Sequence, residues 1–184
     1  MRHIMLLMLA GLLTFGLTSC KNKKESKDII TKMPTETKKP SGPLTMQAGT
    51  IPPRTVSWMG SNYRISITRQ PDKGLPLVED ASGNKYYDNK VHLLITRADG
   101  STFVDKTYTR ADFSKYVDAG VAKKWGLTGF NFDNVADGKL TFAIAIGSPD
   151  EMADNEFVPL TLLIDSQGGT SVSSQSQDSD DEEE

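Results

Sequence analysis

Two Asp-Gly dipeptides, each set between runs in which apolar and polar residues alternate, constrain this chain more than any other feature. Val91–Arg97 and Thr102–Tyr108 flank Asp99-Gly100, while Gly129–Asp133 and Leu140–Ile146 flank Asp137-Gly138. Alternation marks strands with one buried face, and Asp-Gly favours type I′ turns because both central residues tolerate positive φ. Met59–Asn62 forms a third turn, between Thr55–Trp58 and Tyr63–Arg69, and a last run spans Phe157–Asp165. About seven mostly antiparallel strands are predicted.

One segment departs from this period. Phe113, Tyr116, Val117, Val121 and Trp125 recur at helical spacing and give residues 110–125 one apolar stripe. Thr109 with Asp112 resembles a capping pair, and Gly126 is placed to close the carboxyl end. The expected fold is therefore α+β: a twisted or partly closed sheet with one packed helix.

The ends of the chain have other compositions. Arg2 followed by the apolar run Ile4–Leu17 is too short to span a bilayer, which takes about 20 apolar residues, but it suits a secretory signal. Leu17-Thr18-Ser19-Cys20 then resembles the lipobox of bacterial lipoproteins. The resemblance implies cleavage before Cys20, a diacylglycerol thioether on its sulfur and an acylated new amino terminus. Cys20 is the only cysteine, so the fold holds no disulfide and a lipidated Cys20 is neither nucleophile nor metal ligand. Three acyl chains would anchor the protein stably, where a single chain binds marginally.

From Lys21 to Gly49 seven lysines and three prolines, with few large apolar residues, read as a flexible tether. At the other end Asp178–Glu184 holds six carboxylates in seven residues and reads as a disordered tail. The expected organisation is a signal peptide at 1–19, lipidated Cys20 and tether at 20–49, one globular domain at 50–166, and an acidic tail at 167–184. Between residues 41 and 177 there are 13 basic and 15 acidic side chains, a balance of −2 that excludes a large basic surface and makes nucleic acid an unexpected partner. Lys21-Asn22-Lys23-Lys24 precede the first acid, Glu25, which predicts a domain facing the periplasm from the outer membrane.

Catalytic patterns are sparse. His92 is the one imidazole beyond the signal, and it falls in a strand. Asp133–Gly138 begins like a calcium loop, but Val135 occupies a ligand position and Ile144 stands where the closing Glu belongs, so no metal is expected. There is no phosphate-cradling glycine loop and no G-x-S-x-G elbow, and no cofactor is expected.

The order W-x-G-x-x-Y-x-I, L-P-x-V-x-D-x-x-G-x-x-Y-x-D-N, I-T-R, F-S-K-Y and F-x-P-L-T runs through residues 56–166. Its carriers include Trp58, Gly60, Tyr63, Ile65, Pro76, Asp80, Gly83, Tyr86, Asp88, Asn89, Arg97, Phe113, Tyr116 and Pro159. This order resembles an uncharacterised family of Bacteroidota lipoproteins, domain-of-unknown-function family 4738. The resemblance implies an envelope compartment and brings no catalytic residue with it.

The reading that follows is a membrane-anchored envelope lipoprotein, a non-enzymatic module that binds a protein, glycan or small ligand or serves an envelope assembly. The long connection Gln70–Lys90 supplies the candidate binding residues Tyr86, Tyr87 and Asp88. The alternative is a small glycan-active hydrolase with a carboxylate pair drawn from Glu79, Asp80, Asp88, Asp150, Glu151, Asp154 and Glu156.

Overall fold

The computed structural model describes residues 42–150 and 156–174. The signal segment, Cys20, residues 21–41 of the tether, Glu151, Asp154 and the acidic run lie outside them. Eleven strands are present: β1 (Leu44–Thr45), β2 (Gly49–Trp58), β3 (Ser61–Pro71), β4 (Val78–Glu79), β5 (Lys85–Tyr87), β6 (Asn89–Arg97), β7 (Thr102–Thr109), β8 (Gly126–Ala136), β9 (Lys139–Gly147), β10 (Phe157–Ile164) and β11 (Thr170–Ser174). Among the described residues a single α-helix, α1, spans Ala119–Lys124.

Strands take 61% of the described residues and helical turns 9%, so the fold is mostly β and not the α+β fold that the apolar stripe predicts. Six of the seven expected runs lie within strands and the seventh, Phe157–Asp165, ends one residue beyond β10, but β1, β4, β5 and β11 join them to make eleven in three sheets. The helix expected over 110–125 is broken. Arg110–Asp112 and Ser114–Tyr116 are single 3₁₀ turns, Val117 is extended, and α1 has only six residues. β-branched Val117 and Gly120 both lower helix propensity, and packing decides the outcome. Phe113 is fully buried, with Tyr116, Val117, Val121 and Trp125 packed against the same core, so the stripe is used without a continuous helix. The Asp112 carboxylate accepts from both the N–H and the hydroxyl of Thr109, closing a 3₁₀ turn.

Two antiparallel four-stranded sheets, in the orders β2-β3-β6-β7 and β11-β10-β9-β8, contribute to one core. Alternate residues supply it: Ile65 and Ile67 from β3, Val91, Leu93 and Ile95 from β6, Leu140, Phe142, Ile144 and Ile146 from β9, and Leu160, Leu162 and Ile164 from β10. In β8 the register shifts between Leu127 and Gly129, so Leu127 and Phe130, three positions apart, are both buried. In β2 a second shift falls at Pro52-Pro53, which donate no N–H to the β3 ladder.

The turns are decided residue by residue. Asp137 and Gly138, at φ 51 and 69°, form the expected tight turn, and Met59-Gly60 does the same at φ 51 and 75°. At Asp99-Gly100 only Gly100 has positive φ, and bonds from Gly100 N to Arg97 O and from Arg97 N to Ser101 O make a longer turn with a glycine bulge. Trp58 Nε1 donates to Gly138 O at 3.0 Å and ties two of these turns together.

The connection Gln70–Lys90 contains short strands of its own. β3 and β6 extend into it, and β5 pairs with β4 on one side and, in parallel, with β1 on the other. β1 falls within the stretch expected as a tether, and β11 within the stretch expected as a tail. Met46, buried to 5% exposure, fastens the first of them.

Candidate functional site

The residues singled out in the Gln70–Lys90 connection take separate places. Tyr86, in the middle strand of the small sheet, donates its hydroxyl to Asp80 Oδ2 at 3.1 Å. Tyr87 lies under the Lys73 ammonium, 5.6 Å from the ring centroid. Asp88 is buried at the junction of β5 and β6, where Arg110 Nε pairs with its Oδ2 at 3.0 Å.

Around Asp88 four segments meet. Its Oδ1 accepts the N–H of Leu127 at 3.0 Å and of Asn89 at 2.8 Å, and Arg110 Nη1 donates onward to the carbonyls of Ala122 and Trp125. Gly126 does not close a long helix; it opens β8, and a Cβ there would stand 2.9 Å from Asp88 Oδ1 and 3.0 Å from Met46 Sδ. Burial pushes the Asp88 carboxyl above its ordinary range, against the opposing pull of the Leu127 amide and the Arg110 charge. In Asp80 burial also pushes upward, but the Asn84 side chain and amide and the Tyr86 hydroxyl outweigh it and leave the carboxyl below its usual value.

The other acids proposed for a catalytic pair are placed as follows. Glu79 is paired with Lys85, and Glu156 is exposed beside β10. His92 binds Asp105 Oδ1 at 2.7 Å across the open face of β6 and β7. Among the described residues no three His, Cys, Asp or Glu side chains converge as metal ligands.

Two clefts flank the Asp88 junction, and their polar groups differ. The larger, about 190 Å³, is lined by Leu75, Pro76, Asp88, Thr109, Arg110 and Ser114 among others. Its polar groups are occupied: Asp88 and Arg110 by each other, Thr109 by Asp112, and Ser114 by the Ala111 carbonyl. The smaller, about 100 Å³, is lined by Met46, Gln47, Arg69, Asn89, Thr128, Ser148 and Pro149. Here Asn89 Oδ1 and Ser148 Oγ are buried without a hydrogen-bond partner. Unpaired buried groups of this kind are uncommon and call for an explanation.

The strand period explains how they come together. Counting by twos, Ile65 and Ile67 lead to Arg69 in β3, Ile95, Leu93 and Val91 lead back to Asn89 in β6, and Ile144 and Ile146 lead on to Ser148 past β9. Each inward row thus changes from apolar to polar as it leaves the core, and Arg69 and Asn89 lie near one another in register, opposite Val91 and Pro71. Asn89 Nδ2 donates to Leu127 O at 3.1 Å, which identifies its other terminal atom as the acceptor left over. Arg69 Nη1 donates to Thr128 O, and Thr128 Oγ1 to Ala145 O at 3.2 Å.

The candidate binding residues expected from the sequence end at Asp88, one position before Asn89. Asn89 was visible as a polar residue on the inward period of the Val91 strand, and Ser148 as one on that of the Ile146 strand; both lay just outside the boundaries drawn for those strands.

A comparison with protein families finds that the one described as a domain of unknown function (DUF4738) matches residues 28–172. The chain belongs to the DUF4738 family. The DUF4738 match begins ahead of β1 and takes in most of β11, wider than the 56–166 covered by the quoted residues. No curated protein matches the sequence. The DUF4738 description assigns no activity, so function rests on the clefts.

Proposed function

We propose that this protein is a lipid-anchored binding module of the cell envelope, held through lipidated Cys20 on the periplasmic face of the outer membrane and without catalytic activity of its own. The observation that carries the binding reading is the smaller cleft, where Asn89 Oδ1 and Ser148 Oγ stand buried without partners. Keeping such groups unsatisfied costs stability, of the order of 1–3 kcal/mol each, and a bound ligand offsets that cost. A hydrolase is less favoured, because Asp88 is sealed by Arg110 and two amides, and Glu79 and Asp80 are engaged by Lys85, Asn84 and Tyr86. The anchor rests on the Leu17–Cys20 tetrapeptide and the envelope face on Lys21–Lys24.

Two measurements test this. Metabolic labelling with a fatty-acid probe is expected to mark the wild-type chain and not Cys20→Ala, and the variant is expected to leave the membrane fraction; label or membrane partition retained in Cys20→Ala refutes the anchor. For binding, a low-molecular-weight envelope extract is expected to raise the melting temperature of the full chain, since a ligand at 100 times its Kd stabilises by about 2.7 kcal/mol. An extract that leaves the melting temperature unchanged at every concentration refutes the binding role.

A further inference from the structure

We infer that the smaller cleft takes the hydroxyl-bearing edge of a neutral polyhydroxylated ligand, a sugar or cyclic polyol, and that the ligand reaches its partners by displacing the Met46 side chain. This deepens the binding reading above and rests on it.

The hydrogen-bonding inventory selects the ligand class. Asn89 Oδ1 can only accept, because the same amide's Nδ2 is committed to Leu127 O. Ser148 Oγ can donate and accept. A carboxylate or phosphate oxygen brings no proton and leaves Asn89 Oδ1 unpaired, and an ammonium brings only protons and offers nothing to the Ser148 hydroxyl proton. A hydroxyl does both, and a molecule with more than one hydroxyl can satisfy the pair. A peptide main chain could also donate and accept, but it recognises a protein through an unpaired strand edge. The strand edge at this cleft is β8, and its groups here are already taken: Leu127 O accepts from Asn89 Nδ2, Thr128 O from Arg69 Nη1, and the Leu127 N–H donates to Asp88. A compact molecule read by side chains fits that wall. The apolar share of the lining, Met46 and Pro149, suits the C–H face of a sugar ring.

Access is the second half of the inference. Asn89 is 1% exposed and Ser148 9%, and Met46, 5% exposed, lies in the same wall. Methionine is unbranched and its three rotatable bonds let it repack at low cost. Its segment is also lightly held: β1 pairs with β5 over two residues, Leu44 with Tyr86 and Thr45 with Tyr87. Met46 thus follows a briefly paired strand and can repack, while Asn89 opens the central strand β6 and Ser148 directly follows the central strand β9.

The test uses the full chain in detergent, with methionine methyls and asparagine side-chain amides isotope-labelled for NMR. Neutral hexoses and cyclic polyols, a glycan ending in the same sugar, amino acids and simple carboxylates are titrated separately to about 10 mM, near saturation for a Kd of about 1 mM. Saturable shifts of the Met46 methyl and the Asn89 amide with the neutral polyols are expected, and the glycan arm tells a chain end from a free sugar. Ser148→Ala should weaken binding about fivefold, the value of one hydrogen bond, with an unchanged or higher melting temperature. Shifts with amino acids or carboxylates alone overturn the sugar inference and leave the binding module standing. If no class moves either probe, the cleft holds water only and both readings fall.

Discussion

The Asp88–Arg110 pair is the most consequential contact in the fold, because its side chains are only 2% and 11% exposed. Asp88→Asn leaves a neutral acceptor for the Leu127 or Asn89 amide but strands the guanidinium in a largely buried site. Removing one partner of a buried pair costs about 3–5 kcal/mol, a large share of the 5–15 kcal/mol that holds an ordinary domain. At about 3–5 °C per kcal/mol for a domain of this size, the melting temperature should fall by roughly 10–25 °C. Arg110→Met should cost more, since it also withdraws the donor that serves the carbonyls of Ala122 and Trp125. In the double variant Asp88→Asn/Arg110→Met neither charge is left alone, so its loss should fall short of the sum of the singles by about 2 kcal/mol. Guanidinium unfolding followed by the fluorescence of Trp58 and Trp125 measures all four proteins. An Asp88→Asn loss below about 1 kcal/mol, or additivity within about 0.5 kcal/mol, would refute the assignment of this pair as the organising contact.

Other perturbations have equally definite outcomes. The Asp80 carboxyl lies below its ordinary 3.8, so its stabilisation is full above that value and is lost as pH falls through the folded-state pKa. The stability gap between wild type and Asp80→Asn should therefore hold steady above about pH 5 and close in acid; denaturation midpoints at several pH values check this. Gly147→Ala places a Cβ 2.9 Å from each of Glu156 O, Phe157 Cβ and Thr128 Oγ1, and overpacking should cost about 1–3 kcal/mol in a urea titration. Trp58→Phe removes the donor to Gly138 O while keeping an aromatic ring, and should cost about 1–2 kcal/mol by the same assay.

The long strands were legible because their cores are regular: Ile65-Ser-Ile67 and Leu140-Thr-Phe-Ala-Ile-Ala-Ile146 alternate without interruption. Their ends were less so, and the site lies at the ends. Asn89 and Ser148 are polar residues at inward positions, and a boundary placed where apolar residues stop leaves such positions out, whereas Arg69 falls inside the expected Tyr63–Arg69 run. Leu127 was hidden by the bulge at Thr128, which breaks the two-residue period. β4 and β5, with two and three residues, carry too little pattern to see and depend on pairing with one another and with β1. The apolar stripe from Phe113 to Trp125 was a true burial signal, but burial alone does not distinguish one helix from a chain of short turns laid on the same core.

The irregularities of the outer strands also bear on what many copies of this chain do when crowded together. An unbroken outermost strand is a template on which another copy can build a continuing sheet, the first step toward aggregation. In β2 the ladder is interrupted at Pro52-Pro53, in β7 the register shifts between the partners of Ile95 and Thr96, and in β8 it shifts twice. The fourth outer strand, β11, is only five residues long and mostly serine and threonine. None of the four offers a long, flat run of free amides and carbonyls. Two open sheets can thus be carried at high local density, with self-assembly opposed by backbone geometry at every border instead of by charge alone.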